Sequence, residues 1–261
     1  MLFSTHPELL TAMETQYLRT PQGRALAYRH LRAGNGIGVI MSHGFLADKS
    51  EGGRFDRLAS LLQSEGIDAI SFDYSGCGES EETPISLDAF HEDLDAVGDY
   101  ARNEGLARLG LVGFSFGGYL ALEYLKRSGA RCALLWAPVT DALPVPNRII
   151  TAENLEELER AEKTIVRTKH GLRTVFVLLK SFIEQRNAID QSRLLTGIDQ
   201  RVLIIHGTED ASVPLEHSIR AVRMLPNAEI IELVGANHFF KGHEGRLIEE
   251  SVGFLTHELL E

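Results

Sequence analysis

Leu109-Gly110-Leu111-Val112-Gly113-Phe114-Ser115-Phe116-Gly117-Gly118 is the stretch that decides the reading of this chain. The apolar run 109–112 reads as a buried strand, and residues 119–126 read as a helix. Strand, sharp turn, helix is the setting that a Gly-x-Ser-x-Gly motif needs. A serine in such a turn stands clear above the sheet, in strained backbone. The residues two before and two after it crowd each other, so Gly113 and Gly117 supply room that no larger side chain could. The helix that follows aims its first N–H groups at the same spot, where negative charge on an oxygen would be held.

Two further groups fall beyond the ends of later strands. Residues 201–206 form an apolar run followed by Gly207-Thr208-Glu209-Asp210-Ala211-Ser212-Val213-Pro214. Residues 228–233 form another, followed by Gly235-Ala236-Asn237-His238-Phe239-Phe240. In an open parallel sheet the carboxyl ends of the strands share one edge, so Ser115, Asp210 and His238 can converge there. Serine is a poor nucleophile until a base takes its proton, and a carboxylate must hold that base in one tautomer. Ser115 is therefore read as nucleophile, His238 as base and Asp210 as orienting acid. Glu209 and Asp141 are the competing carboxylates. Asp141 is read as a helix cap or loop anchor, since it precedes a proline-rich stretch containing Pro144 and Pro146.

Upstream of the elbow, residues 17–19 and 25–28 flank a Pro21-Gln22-Gly23 turn and read as an antiparallel hairpin. Residues 38–41 are a buried strand ending in Ser42-His43-Gly44-Phe45. That turn can bring the Phe45 N–H beside the nucleophile as a second oxyanion donor, with the Phe116 N–H as the first. His43 is read as shaping the turn by hydrogen bonding. A helix is expected over 54–65, a buried strand over 67–74 and an amphipathic helix over 87–103. The acidic residues Glu92, Asp93 and Asp95 of that last helix are expected on its solvated face. In Asp73-Tyr74-Ser75-Gly76-Cys77-Gly78-Glu79-Ser80, Asp73 is expected to tie down backbone N–H groups. Two glycine loops invite a nucleotide-binding reading. Residues 34–38 precede their strand instead of following it, and Glu81 stands where the second loop would need glycine.

Downstream, a strand is expected over 131–137. Residues 139–197 then break the strand–helix alternation. They carry a charged helix (153–163), a hairpin (164–173, with His170 near its turn) and a helix (175–186). This insertion reads as a cap over the site. A helix over 217–225 and a closing amphipathic helix over 247–260 complete the pattern.

The chain has 261 residues, enough for one domain of the larger α/β type. Its formal net charge of −11 argues against nucleic acid, whose phosphates need clustered Lys and Arg. Two cysteines, Cys77 and Cys132, imply no disulfide framework and a reducing, cytoplasmic setting. Residues 1–10 show neither a signal peptide nor a membrane span. His206, His217, His243 and His257 have no metal-site spacing, and surface or structural roles are expected for them.

In the order and content of these motifs the chain resembles the α/β-hydrolase fold serine hydrolases over essentially its whole length. It is similar in particular to small carboxylesterases of the cinnamoyl/feruloyl esterase type, which share the His-Gly-Phe turn, the Asp-x-x-Gly-x-Gly-x-Ser loop and a short cap. The resemblance implies a mostly parallel sheet with an N-terminal antiparallel hairpin and helices on both faces. Residues 1–140 and 197–261 would form the core and 141–196 the cap. It implies Asp210, in its Gly-x-x-Asp turn before Val213-Pro214, as the triad acid. It also implies hydrolysis of small acyl or aryl esters through an acyl-enzyme, without cofactor or metal. Trp136 and Phe239 are pocket candidates. A small-molecule ester is the expected partner, and a homodimer is left open. Hydrolysis of a peptide, thioester or carbon–carbon bond by the same triad is the alternative. A non-catalytic binding protein on this fold is disfavoured by the intact triad.

Overall fold

Short apolar runs separated by helical patterns fold here into one eight-stranded sheet. The computed structural model describes residues 14–143, 149–169 and 171–261; the expectations for residues 1–10, Pro144, Pro146 and His170 fall outside these. The expected hairpin forms from β1 (Gln16–Arg19) and β2 (Ala25–Leu31), antiparallel, with Tyr17 opposite Ala27. Then follow β3 (Ile37–Ser42), α1 (Arg54–Ser64), β4 (Asp68–Phe72), α2 (Leu87–Asn103), β5 (Arg108–Phe114), α3 (Phe116–Ser128) and β6 (Cys132–Trp136). An inserted segment carries α4 (Ala152–Ala161), β7 (Lys163–Arg167), β8 (Val175–Leu179), α5 (Lys180–Asn187) and α6 (Gln191–Leu195). The main sheet resumes with β9 (Arg201–Gly207), α7 (Leu215–Met224), β10 (Ala228–Leu233) and α8 (Glu244–Leu260).

The strand order is β1-β2-β4-β3-β5-β6-β9-β10, with β2 antiparallel to β4 and every later pairing parallel. Central strands of such a sheet are buried on both faces, which is why β4 and β6 are buried at every position. Their side chains alternate between two cores. Cys132, Leu134 and Trp136 of β6 join the core under α1 and α8. Ala133 and Leu135 join the core under α2 and α3. Among the described residues no helix is long and apolar enough to cross a membrane.

Two readings change in the inserted segment. The helix expected over 175–186 begins only at Lys180, because its first residues form β8. Along β8 Phe176 and Leu178 are buried while Val175 is exposed, a period of two. β8 pairs antiparallel with β7, where Thr164 and Val166 are buried between exposed neighbours. The hairpin is thus longer than expected. The short helix α6 was not foreseen.

The acidic face of α2 also needs correction. Asp93 is fully buried, accepting hydrogen bonds from the Ser75 N–H at 2.7 Å, the Ser75 hydroxyl at 2.9 Å and Arg24 Nη2 at 3.0 Å. The helix period places it on the inner face beside Phe90 and Leu94, and a distant arginine compensates its charge. Asp73 behaves as expected. Its carboxylate accepts from the backbone N–H groups of Lys49 (2.6 Å) and Glu79 (2.8 Å). It also pairs at 2.8 Å with the buried Lys49 ammonium, joining the loop after β4 to the turn after β3.

Arg24 keeps Glu92 at 2.8 Å when Asp93 is removed, but the buried Ser75 N–H and hydroxyl lose their acceptor, at about 1–3 kcal/mol for a buried group left unsatisfied. Asp93→Ala should therefore lower the free energy of urea unfolding by about 2–4 kcal/mol. Asp95→Ala, whose carboxylate lies on the exposed side against Arg127, should change it by less than about 1 kcal/mol. Equal effects of the two substitutions would contradict this account.

Candidate active site

Ser115 sits between β5 and α3 at φ 54°, ψ −117°, a region that a residue with a side chain enters at a cost on the order of 1–3 kcal/mol. Three backbone hydrogen bonds hold it there. The Ser115 N–H donates to the Trp136 carbonyl at 2.9 Å, and the Ser115 carbonyl accepts from Val139 N (2.9 Å) and Gly118 N (3.0 Å). The glycines are required as expected. A Cβ on Gly117 would lie 2.1 Å from the Ser42 carbonyl oxygen, and one on Gly113 would lie 2.6 Å from the Gly117 carbonyl oxygen.

The loops after β9 and β10 are stitched to each other. The Glu209 N–H donates to the Ala236 carbonyl and the Gly235 N–H to the Thr208 hydroxyl, both at 2.9 Å. Asp210 and His238 meet as a result, His238 Nδ1 lying 2.7 Å from Asp210 Oδ2. His238 Nε2 lies 3.1 Å from Ser115 Oγ. An ionised carboxylate only accepts, so Nδ1 carries the imidazole proton and Nε2 is left to accept the serine hydroxyl. The ring is wedged between Phe114 (4.9 Å between centroids) and Phe239 (5.2 Å). The Asn237 side chain accepts from the Phe239 and Lys241 N–H groups and so shapes the turn carrying the histidine.

Asp210 is enclosed on every side. Oδ1 accepts from Ser212 N (2.7 Å) and Val213 N (2.9 Å), and Oδ2 receives His238 and His206, the latter at 3.2 Å. Burial alone would raise the pKa of its carboxyl. The donors from His206, His238 and Val213 outweigh it and hold the group well below the usual carboxylate range. The competing carboxylates lie elsewhere. Glu209 is exposed, and Asp141 accepts from Arg220 at 2.8 Å and from the Ala142 N–H, a loop anchor as expected.

His206 is the residue that the sequence reading underrated. It is fully buried in β9, with Nδ1 2.7 Å from the Ser218 hydroxyl and Nε2 shared between Asp210 and the Val213 carbonyl (3.1 Å). Its spacing of four residues before Asp210 is the only signal that sequence offers. His43 is occupied as expected. Nδ1 lies 2.8 Å from the Gly44 carbonyl and Nε2 accepts from Tyr74 N at 3.1 Å, so neither nitrogen is free for Ser115.

The Phe45 N–H has no hydrogen-bond partner among the described residues. Phe116 is the first residue of α3, so its N–H has no acceptor in its own helix. Both are therefore free to donate to an oxyanion. The side chains of both residues pack on Phe182 of α5, stacked at 5.3 Å for Phe45 and edge-on at 5.4 Å for Phe116. A cavity of about 100 Å³ opens at Ser115, walled by Phe45, Phe114, Val139, Ile149, Arg186 and Phe239 among others. A wider one, about 640 Å³, lies beyond His238 and Phe239 and carries Arg167 and Lys169. Phe239 lines both. Trp136 does not belong here. It is fully buried in the opposite core, 5.5 Å from Phe55, with its indole N–H on the Ser251 hydroxyl at 3.0 Å. Strand alternation turns it away from the face that Leu135 shares with α3. Among the described residues no group of three His, Cys, Asp or Glu side chains is placed to hold a metal ion.

Comparison with known proteins agrees with this architecture. The model of the alpha/beta hydrolase family matches residues 39–243. A 2-hydroxy-6-oxononadienedioate/2-hydroxy-6-oxononatrienedioate hydrolase of Dechloromonas aromatica is 23% identical, over 97% of this chain and 99% of that protein. Est1E of Butyrivibrio proteoclasticus, solved with ferulic acid bound, superposes with a TM-score of 0.77 at 21% identity, covering 94% of this chain and 100% of the other. A soluble variant of the monoglyceride lipase of Saccharomyces cerevisiae, in complex with a substrate analogue, also gives 0.77, at 16% identity over 98% and 99%.

The short contact between His238 and Asp210 has a spectroscopic consequence. Proton NMR should show a strongly deshielded imidazole Nδ1 proton that vanishes in Asp210→Asn. It should persist in Asp141→Asn and Glu209→Gln. Its survival in Asp210→Asn would place the orienting carboxylate elsewhere.

Proposed function

The chain belongs to the alpha/beta hydrolase family, and on that premise we propose that it cleaves carboxylic esters of small or aryl acids, with Ser115, His238 and Asp210 as a catalytic triad. The observation that carries this reading is the unbroken relay from Ser115 Oγ through His238 to Asp210, with the serine on a strained elbow. His238 Nε2 takes the hydroxyl proton as Ser115 attacks the ester carbonyl. The N–H groups of Phe45 and Phe116 hold the oxyanion of the tetrahedral intermediate. The protonated histidine, held by Asp210, then gives its proton to the departing alcohol. Water repeats the sequence on the acyl-enzyme and releases the acid. The smaller cavity at Ser115 suits the acyl group, and the wider one beyond His238 suits the alcohol, which leaves on the side of its proton donor.

Residues 141–196 act in this reading as a cap over a core of 1–140 and 197–261. Its support is that Ile149, Arg186, Arg167 and Lys169, all from the insertion, wall the two cavities. A small-molecule ester is the partner, and a reduced, cytoplasmic setting fits the two free buried cysteines. A second reading has the same serine attack a ketone, with cleavage of a carbon–carbon bond. The hydroxy-oxo-dienedioate in the name of the Dechloromonas relative favours it.

A panel of p-nitrophenyl, naphthyl and hydroxycinnamate esters, set beside a vinylogous 1,5-diketone, a thioester and a peptide, decides between these readings. Ester turnover should dominate. Ser115→Ala should abolish turnover and labelling by a serine-directed phosphonate while unfolding at the wild-type temperature. In a serine protease, replacing the triad Asp by Asn costs about 10⁴ in kcat, so Asp210→Asn should lose on the order of 10³ to 10⁴. Glu209→Gln and Asp141→Asn should each lose less than about tenfold, or 1.4 kcal/mol of barrier. Labelling that survives Ser115→Ala would sink the assignment.

A further inference from the structure

Arg186 is a buried cation with no counter-ion among the described residues, and it lines the same cavity as Ser115. It lies on α5, one turn after Phe182, is only 4% exposed, and forms part of the wall of the cavity that holds Ser115. Among the described residues only the Leu143 carbonyl accepts a hydrogen bond from it, through Nη1. Its Nε is buried and has no partner among the described residues. No carboxylate among the described residues lies within salt-bridge distance of it, and residues 144–148 (Pro-Val-Pro-Asn-Arg) contain no acid. Burial pushes its pKa down to about 10, which still leaves it charged at neutral pH.

Such an arrangement is costly unless something answers it. A guanidinium offers five N–H donors in a fixed fork, and here one nitrogen is satisfied by protein. Its position 5.9 Å from the Phe116 ring centroid recovers part of the lost hydration and no hydrogen bond. The other charged residue on this wall within the same cavity, Glu51, is already engaged. It accepts from Arg54 at 3.1 Å and from the Gly44 N–H at 2.8 Å. In a chain with a formal net charge of −11, the charge on this cavity wall that has no ionic partner among the described residues is positive.

We propose that Arg186 is a substrate-binding residue that receives a carboxylate on the acyl part of the substrate, so that the natural substrates are acid-bearing acyl compounds such as half-esters of short dicarboxylic acids. The proposal rests on the serine-hydrolase reading above and narrows it. The fork of Arg186 matches the two oxygens of a carboxylate. Its place in the wall of the cavity of about 100 Å³ that holds Ser115, with the guanidinium 5.9 Å from the Phe116 ring centroid, suits an acid at the far end of a short acyl chain.

The test compares monomethyl glutarate with dimethyl glutarate, which presents the same acyl atoms with the charge capped. Wild-type enzyme should show the higher kcat/KM on the half-ester. In Arg186→Gln the ratio of half-ester to diester should fall by about 10- to 100-fold, the range for a hydrogen-bonded charge partner. Arg186→Lys should recover part of it. Independently of catalysis, glutarate should bind Ser115→Ala in calorimetry and bind the Ser115→Ala/Arg186→Gln double variant at least tenfold more weakly. A wild-type preference for the diester, or a ratio that Arg186→Gln leaves unmoved, overturns the proposal. If Arg186→Gln does not fold, absence of millimolar glutarate binding to Ser115→Ala overturns it instead. Phosphonate labelling of Ser115 in the wild type tests the underlying reading separately. Labelling without half-ester preference removes the role of Arg186 alone, and no labelling removes both.

Discussion

A serine forced to φ 54° between a strand and a helix sets the terms for everything around it. The turn has no room on either side, so glycine stands two residues before and two after, and the Ser42 carbonyl presses against Gly117. The strain persists because Trp136 at the end of β6 supplies an acceptor, and Val139, three residues further on, a donor, to the Ser115 backbone. β5, β6 and α3 must therefore be in final register before Ser115 takes its place. β3 must lie beside β5, since its last residues close the space over Gly117. The site is thus a property of four packed elements, and the hydroxyl is positioned by backbone geometry that costs no reorganisation during reaction.

Asp210 and His238 are held by a different device, a carboxylate surrounded by donors. Asp210 uses both oxygens to collect two backbone N–H groups and two imidazoles. Its first task is to close its own turn, and the hydrogen bond to His238 comes from a carboxylate already immobilised. His206 ties that carboxylate back to α7 through Ser218, so the acid is fixed by β9, its own loop and the following helix together. Polar networks of this kind are worth having only when every member is satisfied. Asp93 and Lys49 solve the same problem on the flank of the sheet, each buried charge meeting an opposite one.

What could be read from sequence was what is local. The elbow, the Gly-x-x-Asp turn and the Asn-His loop carry their geometry within a few residues, and the chain order of Ser115, Asp210 and His238 joined them. Asp93 was misplaced because Arg24, which neutralises it, lies 69 residues away. Trp136 was misplaced because its orientation depends on which face of β6 it occupies, and an all-apolar strand hides that parity. In sequence, residues 175–179 read as helix because helical residues follow them directly. Their β-branched composition and pairing with β7 decide for strand. His206 and Arg186 gave no warning, since burial and the absence of a partner are facts of packing.

Trp136 is the chain's single tryptophan, and its position makes it an optical reporter. Its carbonyl holds the Ser115 N–H, and its indole is sealed against Phe55 and the hydroxyl of Ser251 on α8. Tryptophan emission from this protein therefore follows the strand pair beneath the nucleophile and the helix behind it. The insertion over 141–196 carries no tryptophan and is dark to the same light. Loosening of the insertion alone leaves the emission unchanged, whereas collapse of the elbow shifts it to the red as the indole meets water. One wavelength thus separates events in the core from events above it, with no label added.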